Sequence, residues 1–413
     1  MRRGCEPATR DGVIFESLVD KKLRFSQRTD WNTEESELAR AHRLRAEAGL
    51  PIADLTASNP TRCGFAYAPG LLTALADARA TDYDPQPKGS LRAREAVCGY
   101  YAGHGVAIDP EQVVLTTSTS EAYSYLFRLL CDPGGEIVVP QPGYPLFDFL
   151  ARLDDVKLKA APLVYDHGWQ IEPEGFRRAV TPQTRVIVLV HPNNPTGHFT
   201  KPWEVEELAR ICRERDLALI VDEVFLDFGM GERGMSFTSG FDGALDGVPV
   251  FVVSGLSKIA GLPQMKAAWI VAVGAAQEAL GRLEVIADTF LSMNAPVQCA
   301  LPEWLAGRRG IQEQIRERVA RNLAELDRRL GGLAAVRRLE VEGGWYAVLR
   351  IPALQPDERT VLDLLERGVW VHPGYFFGME ESGWLVVSLL AQTKEFSEGV
   401  GILIDYLGEK YCG

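Results

Sequence analysis

Four short polar segments follow apolar stretches of this sequence and carry residue types that could perform chemistry. They are TTSTSEA at 116–122, HPNNPTG at 191–197, the pair Asp222 and Glu223, and SGLSK at 254–258. In open parallel sheets, ligands bind at the carboxyl ends of the strands. Polar residues that directly follow apolar strand sequences are therefore the first candidates for a site.

Two of these segments place a charged side chain at the end of an apolar run. Asp222 ends the run LALIV, and Lys258 follows VFVVSGLS. An unpaired carboxylate is costly in apolar surroundings, so Asp222 requires a cationic or hydrogen-bonding partner. A desolvated lysine has a lowered pKa, which suits it to Schiff-base chemistry. A single lysine in a loop is usually solvated, so this hypothesis depends on the whole set of segments.

The other two segments are less specific. Small hydroxyl residues at a helix N-terminus, as in TTSTSEA, offer backbone N–H groups and hydroxyls to a phosphate. Serine and threonine are also ordinary N-caps, and Asn-Pro with Gly in NNPTG is explained by a turn alone.

Composition excludes several classes of function. The 413 residues have a net charge of −12, which disfavours nucleic-acid binding because such binding depends on clustered Lys and Arg. No run of about 18 apolar residues is present, so we expect no membrane span. The seven cysteines include no C-x-x-C pair, which fits a reducing compartment. The protein is predicted to be cytoplasmic, without nucleic-acid or membrane partners.

The apolar runs also predict the architecture. Six runs alternate with helical stretches between about residues 113 and 274: VVLTT, EIVVP, VIVLV, LALIVD, VPVFVVSG and AAWIVAVG. Such runs are typical of a mostly parallel sheet covered on both faces. After Met293 a long charged helix, at about 302–330, leads into a smaller α+β region. We predict an N-terminal segment at 1–57, packed on the small domain or on a partner subunit, a large domain at 58–300 and a small domain at 301–413.

The four segments, in this order, resemble the fold-type I pyridoxal-phosphate enzymes, specifically the class I and II aminotransferases and the related aminocyclopropane-carboxylate synthases. The resemblance runs from about Leu55 to Leu390 and includes SNPT (58–61), PGYPLF (142–147) and SKIAGLPQMK (257–266). It implies an α/β fold with a mostly parallel sheet of the seven-stranded type between helices, plus a smaller α+β domain. It also implies pyridoxal 5'-phosphate as the cofactor.

The resemblance implies a role for each matching residue. Lys258 would hold the cofactor as a Schiff base and move the proton at the substrate's α-carbon. Asp222 would pair with the pyridinium nitrogen, Asn194 would donate to the phenolate oxygen, and Tyr144 would stack on the ring.

The phosphate ligands would be Ser118, Thr119, Ser120, Ser254, Ser257 and Lys266. Tyr83 is similar to the tyrosine that reaches the phosphate of the neighbouring subunit, which implies a homodimer.

Three positions depart from the family pattern. Phe225 stands where a tyrosine usually donates to the phenolate oxygen, and Lys266 stands where an arginine usually binds the phosphate. The C-terminal strand that usually carries the arginine for the substrate α-carboxylate reads GWLVVSLL, with Val386 and Val387 near the expected place.

The missing arginine directs attention to the loop SNPTR. We predict that Arg62 binds the substrate carboxylate, with Asn59 as a second substrate contact, because a guanidinium suits bidentate carboxylate binding. A surface arginine in a turn is the alternative interpretation, and Lys394 or a partner-subunit residue would then be the next candidates.

The leading functional hypothesis is an aminotransferase, which exchanges an amino group between an amino acid and a 2-oxo acid. A lyase, cyclase, decarboxylase or oxidase on the same scaffold is the alternative. A silent regulatory domain is not expected, because no basic DNA-binding extension precedes the fold. No G-x-G-x-x-G follows a strand and no P-loop is present, which disfavours nucleotide binding, and the six histidines have no metal-ligand spacing.

Overall fold

The computed structural model describes residues 23–231 and 234–411. Within these residues the strands are, in chain order, β1 (Ala53–Asp54), β2 (Val113–Thr116), β3 (Glu136–Gln141), β4 (Lys157–Tyr165), β5 (Trp169–Ile171), β6 (Thr184–Val190), β7 (Ala218–Asp222), β8 (Pro249–Gly255), β9 (Ala268–Gly274), β10 (Arg337–Arg338), β11 (Tyr346–Arg350), β12 (Val369–Trp370), β13 (His372–Pro373) and β14 (Trp384–Ser388).

The α-helices surround these strands. They are α1 (Glu37–Glu47), α2 (Leu91–Ala102), α3 (Thr119–Leu130), α4 (Phe147–Leu153), α5 (Pro173–Ala179), α6 (Pro202–Arg215), α7 (Leu256–Ile259), α8 (Leu280–Phe290), α9 (Ala295–Gly307), α10 (Arg309–Leu330), α11 (Asp357–Glu366) and α12 (Thr393–Tyr411).

Eight strands form the large sheet, in the spatial order β2-β9-β8-β7-β6-β3-β4-β5. The five strands from β8 to β4 in this order are parallel to one another. Strands β9, β2 and β5 pair antiparallel with their neighbours. The predicted α/β class and mostly parallel sheet are therefore confirmed, and the sheet has one more edge strand than the seven-stranded type.

The central strands are buried on both faces. Val186, Val188 and Val190 of β6 belong to one hydrophobic cluster, and the alternate residues Ile187 and Leu189 belong to another. Successive side chains of a strand point to opposite faces, so each face of the sheet packs against its own core. This double coverage explains why the run VIVLV contains no polar residue.

The smaller sheet has the order β10-β11-β14-β13, and its pairs are antiparallel. Near it, β1 pairs in parallel with β12, so a segment before residue 57 contacts the C-terminal part of the chain. The division at residues 57 and 300 stays a prediction, and residues 1–22 of the predicted N-terminal segment lie outside the described residues.

The predicted single helix at 302–330 is wrong. Helix α9 begins at Ala295, after the N-cap Asn294, and a break at Arg308 separates it from α10. Gly307 and Gly310 flank the break, and glycine is a poor helix former, which explains the interruption.

The described part of the chain contains no helix that is long and apolar enough to cross a membrane. Its five cysteines, Cys63, Cys98, Cys131, Cys212 and Cys299, are all free thiols.

Candidate active site

The carboxyl ends of β6, β7 and β8 lie side by side. Val190, Asp222 and Val253 are in register across these three parallel strands. Beyond them, the backbone N–H of His191 donates to the Asp222 carbonyl at 2.8 Å, and that of Glu223 donates to the Val253 carbonyl at 2.8 Å. The loops that carry Asn194, Asp222 and Lys258 therefore begin at one edge of the sheet.

Lys258 lies in the short helix α7, directly after β8. Its Nζ is 5.0 Å from the centre of the Trp345 ring and 5.7 Å from that of Phe225. No ion pair or hydrogen bond joins its ammonium group to another described residue. Burial lowers the pKa of Lys258 to about 8, although the charge of Asp222 opposes this shift. A larger fraction of the amine is therefore neutral, and so nucleophilic, near pH 7.

Asp222 is only 4% exposed and accepts two hydrogen bonds. The backbone N–H of Val224 donates at 3.0 Å, and the hydroxyl of Tyr123 donates at 3.0 Å. Burial raises the pKa of Asp222 to about 6, while these two hydrogen bonds and the charge of Lys258 act in the opposite direction. The carboxyl group is thus mostly ionised at neutral pH and suited to pair with a buried cation.

Tyr123 was not identified from the sequence. It is fully buried on α3, four residues after Thr119. A tyrosine on the apolar face of a helix is normally interpreted as a core residue. Only the packing of α3 against the sheet brings its hydroxyl to Asp222.

The N-terminus of α3 presents polar groups. The hydroxyl of the N-cap Ser118 accepts from the N–H of Glu121 at 3.1 Å, and the Glu121 carboxylate accepts from the N–H of Thr117 at 2.7 Å. The side chains of Thr119 and Ser120 are half-buried and have no hydrogen bond to described residues. The partial positive charge of a helix N-terminus suits a phosphate group here.

Two buried polar atoms at this edge also lack partners within the described residues: Asn194 Oδ1 and Ser254 Oγ. An unsatisfied buried polar group costs about 1–3 kcal/mol, so a polar ligand would stabilise both. Ser257 is half-buried beside Lys258. Lys266 is exposed in a left-handed conformation with φ of 51°. With the amine of Lys258 and the carboxylate of Asp222, the hydroxyl of Ser254 and the side-chain N–H groups of Asn194 fit pyridoxal phosphate.

Tyr144 lies close enough to Asp222 for the carboxylate charge to affect its pKa. Burial raises the pKa of Tyr144 to about 12, and the negative charge of Asp222 adds to the increase. Its ring meets Phe147 edge to face at 5.7 Å between centres. An aromatic side chain is therefore available beside the carboxylate.

A partly buried ionic cluster lies beside the loop that carries Asn194. His198 Nε2 is 2.9 Å from a Glu204 oxygen, its Nδ1 is 3.6 Å from Glu342, and Glu342 forms an ion pair with Lys201. Burial opposes a charge on His198, but the two carboxylates outweigh it and raise its pKa. A Cβ on Gly197 would lie 2.4 Å from Val341, so the NPTG turn packs tightly on the loop before Trp345.

The predicted substrate residues lie in the loop after β1. The side-chain oxygen Oδ1 of Asn59 accepts hydrogen bonds within this turn, from the backbone N–H of Thr61 at 3.1 Å and from its hydroxyl at 2.8 Å. The guanidinium of Arg62 is exposed and makes no hydrogen bond or ion pair with another described residue. Lys394 is 89% exposed and faces Glu398.

Tyr83 is 85% exposed. It lines a cavity of about 370 Å³ that residues 291–296 also line.

Comparisons with known proteins decide the family. Residues 71–398, most of the chain, match the sequence model of the aminotransferase class I and II family. The chain belongs to this family. It is a pyridoxal-phosphate-dependent aminotransferase, an enzyme that exchanges an amino group between an amino acid and a 2-oxo acid. The relatives do not favour the lyase, cyclase, decarboxylase or oxidase alternative.

Curated relatives support this assignment. The glutamate–pyruvate aminotransferase AlaA of Haemophilus influenzae is 26% identical over 88% of this chain and 92% of its own. The aspartate/prephenate aminotransferase of Thermus thermophilus is 28% identical over 72% of this chain and 76% of its own. The solved structure of an alanine aminotransferase from Pyrococcus furiosus has the same fold, with a TM-score of 0.85 and 24% sequence identity. The match covers 94% of this chain and 100% of the Pyrococcus chain.

The contact between Tyr123 and Asp222 leads to a prediction about this aminotransferase. Tyr123→Phe removes a hydrogen bond to the carboxylate, so the pKa of Asp222 rises and Asp222 protonates at higher pH. We expect the acidic limb of the kcat/KM profile to move upward by roughly one pH unit. Tyr125→Phe on the same helix is the control, since that hydroxyl contacts Ser292 instead. An unshifted acidic limb in Tyr123→Phe would contradict the assigned role.

Proposed function

We propose that Lys258 carries the cofactor and moves the proton during amino transfer, above the sheet edge that also carries Asp222. The single observation behind this proposal is the half-buried Lys258 amine, which makes no ion pair or hydrogen bond with another described residue and has a pKa of about 8. A structural lysine in such surroundings would need a carboxylate partner. A lysine that reacts with a carbonyl group needs the opposite, a readily deprotonated amine.

The other residues hold the reacting groups. Asp222, kept ionised by Tyr123 and Val224, would hold a proton on the pyridine nitrogen. When bound, pyridoxal phosphate supplies an electron sink for the charge that develops at the substrate's α-carbon. Asn194 would donate to the phenolate oxygen, Phe225 cannot, and Tyr144 would cover the ring.

The phosphate would be held by hydroxyls and one ammonium group. Support comes from the unpaired hydroxyl of Ser254 and from the side chains at the start of α3. The full proposed set is Ser118, Thr119, Ser120, Ser254, Ser257 and Lys266. Lys266 supplies a point charge, without the bidentate geometry of an arginine.

We propose that the enzyme works as a homodimer in the cytoplasm. Tyr83 is 85% exposed, so its side chain is available to a neighbouring subunit. In a dimer its hydroxyl would reach the phosphate in the neighbouring subunit. The free cysteines of the described residues fit a reducing compartment.

For the substrate, we propose that Arg62 binds the carboxylate and that Asn59 contributes its amide N–H groups. The Arg62 guanidinium has no partner within the described residues, so its fork of donors is free. The side-chain oxygen Oδ1 of Asn59 accepts hydrogen bonds from Thr61, which leaves the side-chain nitrogen Nδ2 to donate to a ligand.

The role of Lys258 gives a direct chemical prediction. The purified protein should be yellow, and borohydride should fix a pyridoxyl group on the Lys258 peptide, because this amine is buried and easily deprotonated. Peptide mapping by mass spectrometry locates the adduct, and Lys258→Arg should yield none. An adduct on a different lysine would refute the assignment.

The role of Arg62 gives a second prediction. Arg62→Ala should raise the KM for the best donor among the proteinogenic amino acids by more than about tenfold, since a charged partner of the carboxylate is lost. Cofactor absorbance should stay unchanged. Arg309→Ala, at an exposed arginine of α10, is the matched control. If KM is the same in Arg62→Ala and in the parent enzyme, Arg62 does not bind the substrate.

A further inference from the structure

The position of the missing carboxylate-binding arginine has a polar neighbour on the next strand. Val386 of β14 is fully buried and is the register partner of Val348 on β11 and of His372 on β13. Directly opposed residues of antiparallel strands point to the same face of a sheet. The side chain of His372 therefore shares a face with Val386.

This face meets the segment that leads to the proposed substrate loop. Ser388, two residues after Val386 and so on the same face, donates its hydroxyl hydrogen bond to the Ala57 carbonyl. Its backbone N–H donates to the Leu55 carbonyl at 2.6 Å. In addition, the Leu55 N–H donates to the carbonyl of Trp370 in β12, two residues before His372, at 2.9 Å. The residues just before Asn59 thus run alongside the face that carries His372.

The imidazole of His372 has unused hydrogen-bonding capacity. Its Nδ1 is buried and has no partner among the described residues. Its ring packs against Phe377 and Phe376, with centres 5.6 and 5.9 Å away. Burial lowers the pKa of His372 to about 4, although the charge of Asp54 opposes this shift. Near pH 7 the ring is therefore neutral, with one N–H group to donate.

We propose that His372 binds the carboxylate of the amino-acid substrate, beside the position where Val386 replaces the arginine. This inference rests on the proposed function, because it assumes that the amino acid reacts at Lys258. A half-buried imidazole packed against aromatic rings can donate a hydrogen bond to an anion, and hydrogen bonds to charged groups are stronger than neutral ones. His372 supplies a hydrogen bond, while Arg62 supplies the permanent positive charge.

Two small amines that differ only in the carboxylate test this role in the holoenzyme. 2-Methylalanine carries the carboxylate but has no α-hydrogen, so it binds without undergoing transfer. tert-Butylamine has a methyl group in place of the carboxylate and also lacks an α-hydrogen. Dissociation constants come from the change in cofactor absorbance. In His372→Phe, which keeps a ring against Phe376 and Phe377, we expect roughly tenfold or more weaker binding of 2-methylalanine. tert-Butylamine binding should change little.

Three further variants complete the experiment. His372→Leu is measured alongside, so that one poorly folded variant does not decide the result, and His372→Asn should recover part of the binding because it keeps a donor. His42→Asn is the control, since His42 packs on Trp370 of the same segment at 5.0 Å.

Equal changes for the two amines, or none, in folded His372 variants would overturn the proposal. Failure of the proposed function is distinct, because the parent enzyme itself would then lack the Lys258 adduct and the absorbance response.

Discussion

Desolvation of two opposite charges is the constraint on which the site depends. Asp222 is the last residue of β7 and Lys258 follows β8, and both strands lie at the centre of the large sheet. Burial raises the pKa of Asp222 to about 6 and lowers that of Lys258 to about 8. Both shifts disfavour the charged forms, and each charge is partly sustained by the other. A bound pyridinium would give Asp222 a cationic partner. The carbonyl group of the same cofactor would react with the neutral amine of Lys258, the form that burial favours.

The residues around Asp222 and Lys258 contribute to these two pKa shifts. Tyr123 and Val224 keep Asp222 ionised through hydrogen bonds, while Trp345 and Phe225 give Lys258 aromatic walls without an acceptor. The ionic cluster of His198, Glu204, Glu342 and Lys201 joins the NPTG turn to the loop before Trp345.

Much of this arrangement could be predicted from sequence, because strand-end position alone brings the motifs together. The runs VIVLV and LALIVD correspond to β6 and β7, and the parallel register places Asp222 beside the loop of Asn194. The last two strands of the sheet, β4 and the edge strand β5, were not identified. Strand β4, KLKAAPLVY, is half-exposed and mixes lysines with apolar residues, so it lacks the apolar run of a central strand. Tyr123 was missed for a different reason: its partner Asp222 is distant in sequence.

The central claim is that the site holds Lys258 as an easily deprotonated amine before any ligand is bound. The most direct measurement is an NMR titration of the Lys258 side chain in cofactor-free protein, with the resonance assigned by comparison with Lys258→Arg. The account predicts a midpoint near the pKa of about 8 that burial produces. A midpoint among the surface lysines, at about 10.4, would contradict it.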